Sequence, residues 1–304
     1  MILILGNSND LAETVVEEIR KTSKHKIAFF KSNKCLEEKT IGFSCINNSW
    51  SLFADIDGNE IDISKADAVW YWKLLLPRDL RIAEQSEFIH RQFLTLWLSI
   101  VSILRDKKWV NQYNNAIEAD RKPYQLKIAS EIGFNIPDTL ITSSPRRTKD
   151  FWQYCKKEII IKPLRIVPRE DRVIFTNILS EEKMEQIERL KFSPAILQKK
   201  IESKYELRIT VVGNKIFPAK IKRKSEIDWR RDEINAEATK LPKNIQDKCF
   251  ELTQRLGLGY GCIDMAITPD KKYIFFEINP NGQWKFIENK TKMPIGQAIA
   301  HLLI

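Results

Sequence analysis

The chain has 304 residues, enough at roughly 150 per domain for about two domains or three small ones. Apolar residues make up 43 % and there are 10 glycines, the balance of a globular protein with a sizeable core and not of a disordered, fibrous or disulfide-stapled chain. The 50 lysines and arginines outnumber 40 aspartates and glutamates, for a net charge of +10 that favours anionic partners such as nucleotides, nucleic acid or acidic peptides.

The basic residues are spread along the chain without a like-charge block, as on a solvated surface. The 5 cysteines are odd in number and lack a C-x-x-C, and with 3 histidines they offer no local zinc spacing. They read as thiols in a reducing compartment. The opening MILILG is too short for a signal sequence. The most apolar window, residues 93–104, contains Thr95, Ser99 and Ser102 and falls short of the ~20 residues a membrane span needs. These features imply a cytoplasmic protein without a membrane segment.

In chain order, residues 1–5 read as a buried first strand ending at the turn Gly6-Asn7-Ser8-Asn9. Asp10 stands three residues before Glu13, a capping-box spacing ahead of an amphipathic helix over 11–20. A second strand follows at 27–30. The turn Asp57-Gly58-Asn59 predicts a hairpin within 51–63, and 67–72 (DAVWYW) an aromatic strand. Strand–helix–strand order implies a Rossmann-like open sheet, without the G-x-G-x-x-G of a dinucleotide site. Residues 84–105 place Phe88, Ile89, Phe93, Trp97, Ile100, Val101 and Leu104 at helical spacing, a long packing helix with Trp97 in the core. A short strand at Trp109-Val110-Asn111 closes this unit.

A second unit opens with a helix over 124–133 stopped by Gly133, and continues to the apolar strand Ile159-Ile160-Ile161 with Lys162 at its end. Residues 172–177 read as that strand's hairpin partner and 181–192 as an amphipathic helix. A third unit holds strands at 195–198, 205–212 and 215–222, the last two joined by the turn Gly213-Asn214, then a helix over 243–256. Strands 261–267 and 272–279 follow, joined by Thr268-Pro269-Asp270-Lys271, and a helix near 295–303 ends the chain.

The last strand pair carries the chemistry. Asp264 lies inside an otherwise apolar strand, where an acid is costly unless it is paired. Glu277 and Asn279 are two apart on the next strand, hence on one face. The three could converge as the hard oxygen donors of a magnesium site, or be polar positions on a half-exposed strand. Lys162 could bind phosphate as a point charge, or be an exposed lysine. Glu206 and Arg208, also two apart, could be a surface ion pair.

Taken as an ordered set, Lys162, Gln198-Lys199-Lys200-Ile201, Glu206-x-Arg208, Asp264 and Glu277-x-Asn279-Pro280-Asn281-Gly282 resemble the ATP-grasp superfamily from about Trp109 to the end of the chain. Four further stretches are similar to its graspetide synthetase branch, the microviridin-type peptide cyclases. They are Asp120-Arg121-Lys122-Pro123-Tyr124-Gln125-Leu126, Ala129-x-x-x-Gly133-Phe134-x-Ile136-Pro137-x-Thr139-Leu140-Ile141-Thr142, Ile160-Ile161-Lys162-Pro163-Leu164 and Asp228-Trp229-Arg230. Two features depart from the pattern: 165–174 contains no glycine, and Trp70-Tyr71-Trp72-Lys73 replaces a tryptophan-tyrosine-arginine-arginine run.

The resemblance implies a mixed α/β (α+β) ATP-grasp fold. Residues 1–112 would form a Rossmann-like N-terminal domain, 113–197 the central subdomain and 198–304 the C-terminal one, with the nucleotide between the last two. It implies ATP and Mg2+ as cofactors. Lys122 and Lys162 would hold the nucleotide phosphates, Gln198, Lys199, Lys200 and Ile201 the adenine, and Glu206 the ribose. Asp264, Glu277 and Asn279 would be the metal ligands, Arg208 would face the phosphates, and Arg230 and Arg223 the activated carboxylate.

The implied activity is macrocyclisation of a ribosomal precursor peptide. Asp or Glu side chains become acyl phosphates that Ser or Thr hydroxyls, or Lys amines, attack to form ω-esters or ω-amides. The partner would be a leader with an acidic core, docking near 165–192, and homodimers occur in this branch. The alternatives are an ATP-grasp ligase that adds amino acids to a protein or peptide and, more distantly, a basic nucleic-acid-binding protein. No nucleic-acid motif supports the last.

Overall fold

The computed structural model describes residues 1–7, 9–31, 40–72, 86–165, 176–222 and 235–304. The chain opens with β1 (Ile2–Gly6), buried along its whole length, and α1 (Asp10–Thr22). Leu11, Ala12, Val15, Val16 and Ile19 form the buried stripe of α1. The cap of α1 is Asn9, whose Oδ1 accepts from Ala12 N at 2.9 Å, and not Asp10 as the capping-box spacing suggests. Asp10 and Glu13 instead place negative charge in the first turn, where the helix dipole favours it.

β2 (Ile27–Lys31) is followed by β3 (Ile41–Ile46), β4 (Ser49–Ile56) and β5 (Asn59–Asp62), an antiparallel meander. β3 had no counterpart in the expected elements. After β6 (Ala68–Trp72), the helix α2 (Ser86–Ile103) and β7 (Lys108–Val110) complete a four-stranded parallel sheet in the order β2-β1-β6-β7. This is the Rossmann-like arrangement expected of strand–helix–strand order. Along α2, Trp97, Ile100 and Val101 are buried, whereas Phe88 is 66 % exposed. The helical stripe therefore engages the core from Phe93 onward, and its first turn does not.

Two helices then lead away: α3 (Tyr113–Ala119), too short to leave a periodicity in the sequence, and α4 (Lys122–Glu131). Gly133, in the left-handed region at φ +85°, ends α4 as anticipated. β8 (Thr139–Thr142), α5 (Pro145–Tyr154), β9 (Ile159–Pro163), β10 (Asn177–Ile178), α6 (Glu181–Glu185) and β11 (Ala195–Lys199) follow. The strands form an antiparallel sheet in the order β10-β9-β11-β8. Most of the expected hairpin strand 172–177 lies outside the described residues, but Asn177 and Ile178 do pair with β9.

The expected helix over 181–192 is in fact two pieces: α6, capped by Ser180, and a 3-10 segment, Ile187–Phe192. Ile187 and Leu190, its two buried residues, are three apart, the period of a 3-10 turn. Beyond them, β12 (Tyr205–Val212), β13 (Lys215–Lys222), β14 (Asn235–Ala238), α7 (Lys243–Arg255), β15 (Tyr260–Ile267) and β16 (Tyr273–Asn279) build an antiparallel sheet in the order β14-β13-β12-β15-β16. Helices α8 (Lys285–Thr291) and α9 (Ile295–Leu303) end the chain.

The cores show what holds these layers together. Leu207, Ile209 and Val211 on one face of β12 pack with Ile263, Met265, Phe275 and Ile278, and Leu126, Ile128 and Ala129 of α4 join the same cluster. Although α4 comes before the central sheet in the chain, it packs on the C-terminal one. The central sheet has a separate core around Trp152, Ile159, Leu190 and Leu197. A third cluster unites Val15 and Ile19 of α1 with Tyr260, Trp284 and Ile299, and so joins the first and last parts of the chain. Among the described residues, no helix is long and apolar enough to cross a membrane.

Trp284 is fully buried at that junction, so Trp284→Ala should cost about 3–5 kcal/mol of unfolding free energy. Urea unfolding checks this; a loss below ~1 kcal/mol would refute the packing role.

Candidate active site

The face of β12 opposite its apolar stripe carries Glu206, Arg208 and Thr210, because alternation along a strand sends neighbouring residues to opposite sides. In register, Arg208 stands beside Asp264 of β15, and Asp264 beside Glu277 of β16. The ladder shifts between Asp264 and Met265, where Met265 pairs with Phe275 and leaves Phe276 as the extra residue. This bulge keeps Glu277 and Asn279 on the same face as Asp264.

Two carboxylates directly opposite one another repel. Each is matched by a cation from another segment. Arg208 Nη1 donates to both Asp264 oxygens at 2.9 Å, and Lys122 Nζ, at the start of α4, lies 3.0 Å from Glu277 Oε2. Between the acids, Asn279 Nδ2 donates to Asp264 Oδ2 at 3.3 Å and Glu277 Oε1 at 3.2 Å. The result is one chain of contacts, Arg208–Asp264–Asn279–Glu277–Lys122. The acids keep 16 % of their side-chain surface in solvent, against 6 % for Arg208.

Burial pulls the Arg208 guanidinium down, but the charges of Asp264 and its neighbours outweigh that and leave it raised. Its Nη2 donates to Gln283 O at 2.9 Å, and its buried Nε has no acceptor among the described residues. Asp120, at the end of α3, has its carboxyl pushed up by burial, against the pull of Lys122 and Arg165. Two carboxylates and an amide oxygen make a hard donor set of the kind Mg2+ takes. Among the described residues, no group of three His, Cys, Asp or Glu is gathered as metal ligands.

Lys162, Gln198 and Lys199 sit on the four-stranded central sheet. Lys162, half-buried on β9, pairs in register with Ile196 of β11. Gln198 is buried and donates from Nε2 to Thr139 Oγ1 at 3.0 Å. The main-chain N–H groups of Lys199 and Lys200 bond Asp138 O and Glu158 O at 2.9 and 2.8 Å, which anchors the segment leading to Ile201. Glu206 is buried two residues before Arg208 on the same face. Arg223 and Arg230, with Asp228 and Trp229, lie outside the described residues.

Sequence reasoning missed Asn111 and Gln125 as contributors to the site. Both are buried carboxamides bonded to main chain around Asn279. Gln125 does fall in the stretch Asp120–Leu126 that carries the family resemblance, and Asn111 ends the strand expected at 109–111, but neither position signals a main-chain partner by itself.

A four-stranded antiparallel sheet carrying Lys162 and Gln198, followed by a five-stranded one carrying Arg208 and the two acids, matches the element order of an ATP-grasp architecture. The family description "RimK-like ATP-grasp domain" matches residues 119–303, and the chain belongs to that family. Its structure is similar to that of the macrocyclase MdnC from Microcystis aeruginosa MRC, solved with the precursor peptide MdnA. The TM-score is 0.89 at 28 % identity, covering 100 % of this chain and 99 % of that one. It is also similar to a RiPP-associated ATP-grasp ligase of Chryseobacterium gregarium in complex with ADP and a leader and core peptide. There the TM-score is 0.88 at 28 % identity, over 99 % of this chain and 96 % of that one. The alpha-aminoadipate–LysW ligase LysX of Sulfurisphaera tokodaii is 24 % identical over 189 residues. That match spans 59 % of this chain and 65 % of the relative's length.

Gly282 is held against this site. A Cβ there would lie 2.5 Å from Cys262 Cβ and 2.7 Å from Arg208 Nη2. Gly282→Ala should therefore displace Arg208 and lower turnover by about 10²-fold, while the overpacking costs only about 1–3 kcal/mol of stability. Steady-state rates and thermal melts on one preparation separate the two effects.

Proposed function

We propose that this protein is an ATP-dependent peptide macrocyclase that joins Asp or Glu side chains of a precursor peptide to Ser or Thr hydroxyls or Lys amines of the same chain. The observation that carries this reading is the extent of the likeness to MdnC, which runs through the N-terminal sheet as well as the ATP-grasp lobes. The match to the amino-acid ligase LysX is confined to 59 % of the chain.

The charge pattern supports the same chemistry. Asp264, Glu277 and the Asn279 oxygen would hold Mg2+, whose role when bound is to neutralise the nucleotide phosphates and position the transferred phosphoryl group. Lys162, on β9 of the central sheet, and Lys122 would meet the phosphates as point charges. The buried ion pair to Asp264 fixes the Arg208 guanidinium, so it enters the reaction already oriented. Gln198 and the anchored main chain of Lys199, Lys200 and Ile201 would receive the adenine, and Glu206 the ribose. Arg223 and Arg230 would bind the activated carboxylate. The division of labour follows 1–112, 113–197 and 198–304, with α4 of the middle part serving the C-terminal sheet.

A net charge of +10 attracts an acidic core peptide, with the leader docking near 165–192. A homodimer in the cytoplasm is the setting this reading implies, and sedimentation of the purified protein reads the assembly.

The test is mass spectrometry of the candidate precursor with enzyme, Mg2+ and ATP. Each ring should remove the mass of one water, and only when ATP is present. A gain of residue mass would establish the amino-acid ligase instead. Glu277→Gln and Lys162→Ala should abolish the mass loss in folded protein; wild-type rates in either would overturn the site assignment. Deleting the leader should suppress ring formation, and unchanged cyclisation would overturn docking at 165–192.

A further inference from the structure

β16 is an edge strand, and the main-chain groups that it turns away from β15 need partners elsewhere. At Ile278 they find Gln125, a residue of α4 with 1 % exposure. Gln125 Nε2 donates to Ile278 O at 2.7 Å and to Ala119 O at 2.5 Å, and its Oε1 accepts from Ile278 N at 3.0 Å. On the other side of Asn279, Asn111 does the same from the end of β7, also at 1 % exposure. Its Nδ2 donates to Pro280 O and Tyr260 O, both at 2.7 Å, and its Oδ1 accepts from Tyr260 N at 2.8 Å.

We propose that Asn111 and Gln125 are positioning residues for the cation site. They clamp the main chain immediately before and immediately after Asn279, and so fix the spacing of Asn279 and Glu277 to Asp264. This inference rests on the Mg2+ reading above.

The chemistry of the carboxamide explains the choice. It donates and accepts without a charge, and here both its N–H bonds and its oxygen are used. A carboxylate of the same shape could not donate to Pro280 O or Ile278 O and would bury an unmatched charge. A hydrophobic residue would leave those main-chain groups without partners. The two amides also come from different layers: Asn111 ends the N-terminal parallel sheet, and Gln125 shares α4 with Lys122. The donor strand is therefore fixed relative to the N-terminal sheet and to the Lys122 cation alike.

The test titrates Mg2+ against ADP binding, measured calorimetrically on the full chain, so that it reads the site without turnover. Gln125→Met keeps the volume and removes all three hydrogen bonds. The Mg2+ concentration for half-maximal ADP binding should rise about 10-fold or more, with Mg2+-free ADP binding unchanged. Asn111→Ser, on the far side of Asn279, should shift the curve in the same direction.

Asn279→Ala is the reference. If it leaves the Mg2+ curve unmoved, the metal reading itself fails. If it moves the curve and the folded Gln125→Met and Asn111→Ser proteins do not, the clamp is overturned while the metal site stands. If circular dichroism shows both amide variants unfolded, the amides hold the fold and the positioning role is overturned.

Discussion

Asp264 and Glu277 face each other across two paired strands, and much of the molecule is arranged to keep them there. Like charges at that distance push the strands apart, so each acid needs a cation, and the β15–β16 hairpin supplies neither. Arg208 comes from the neighbouring strand and Lys122 from a helix far earlier in the chain. An acid–base pair as enclosed as Arg208–Asp264 is costly to break, about 3–5 kcal/mol, because removing one partner strands the other. The placement of α4 on the C-terminal sheet, against the order of the chain, is held by Leu126, Ile128 and Ala129 in the core and serves this need. The helix that brings Lys122 must lie along β16.

The same stretch of chain links the site to the packing. Arg208 holds the carbonyl of Gln283, and the next residue is Trp284, fully buried where α1 and α9 meet the C-terminal sheet. Tyr260 adds its hydroxyl to Gly282 O, and burial drives that hydroxyl's pKa well above the ordinary phenol range. The loop after Asn279 is thus tied to polar groups above and apolar groups below. The central sheet, by contrast, keeps its own core around Trp152 and Leu197. Lys162 is carried on that sheet, whose strand β8 also lends Ile141 to the cluster under β12, β15 and β16.

Legibility in the sequence tracked the range of the interaction. Asp264, Glu277 and Asn279 could be found because strand alternation fixes which residues share a face, and that rule is local. The Rossmann-like parallel pairing of β1 with β2 followed from strand–helix–strand succession in the same way, whereas the place of β6 beside β1, reached through the β3–β5 meander, did not. Local competition misled in small ways. Asn9 took the cap that Asp10 was given, one residue away and of similar chemistry. Residues 181–192 read as one amphipathic helix because a 3-10 segment places Ile187 and Leu190 at a spacing that an α-helix also tolerates. Phe88 fits the period of α2, yet it reaches past the surface that buries Trp97. Asn111 and Gln125 were invisible for a different reason. Apart from Ala119 O, their partners lie 149 to 169 residues away and are main-chain atoms, which have no residue type to recognise.

The closure of β16 has a consequence for peptide recognition. Proteins often bind an extended peptide by letting it add as one more strand to an exposed sheet edge, which requires unengaged N–H and C=O groups along that edge. On β16 those groups are occupied: Phe275 N by the carbonyl of Asn135, and both polar atoms of Ile278 by Gln125. A peptide beside the acids could pair with β16 at Ile278 only by displacing the Gln125 carboxamide, and with it the bond that holds the Lys122 helix to that strand.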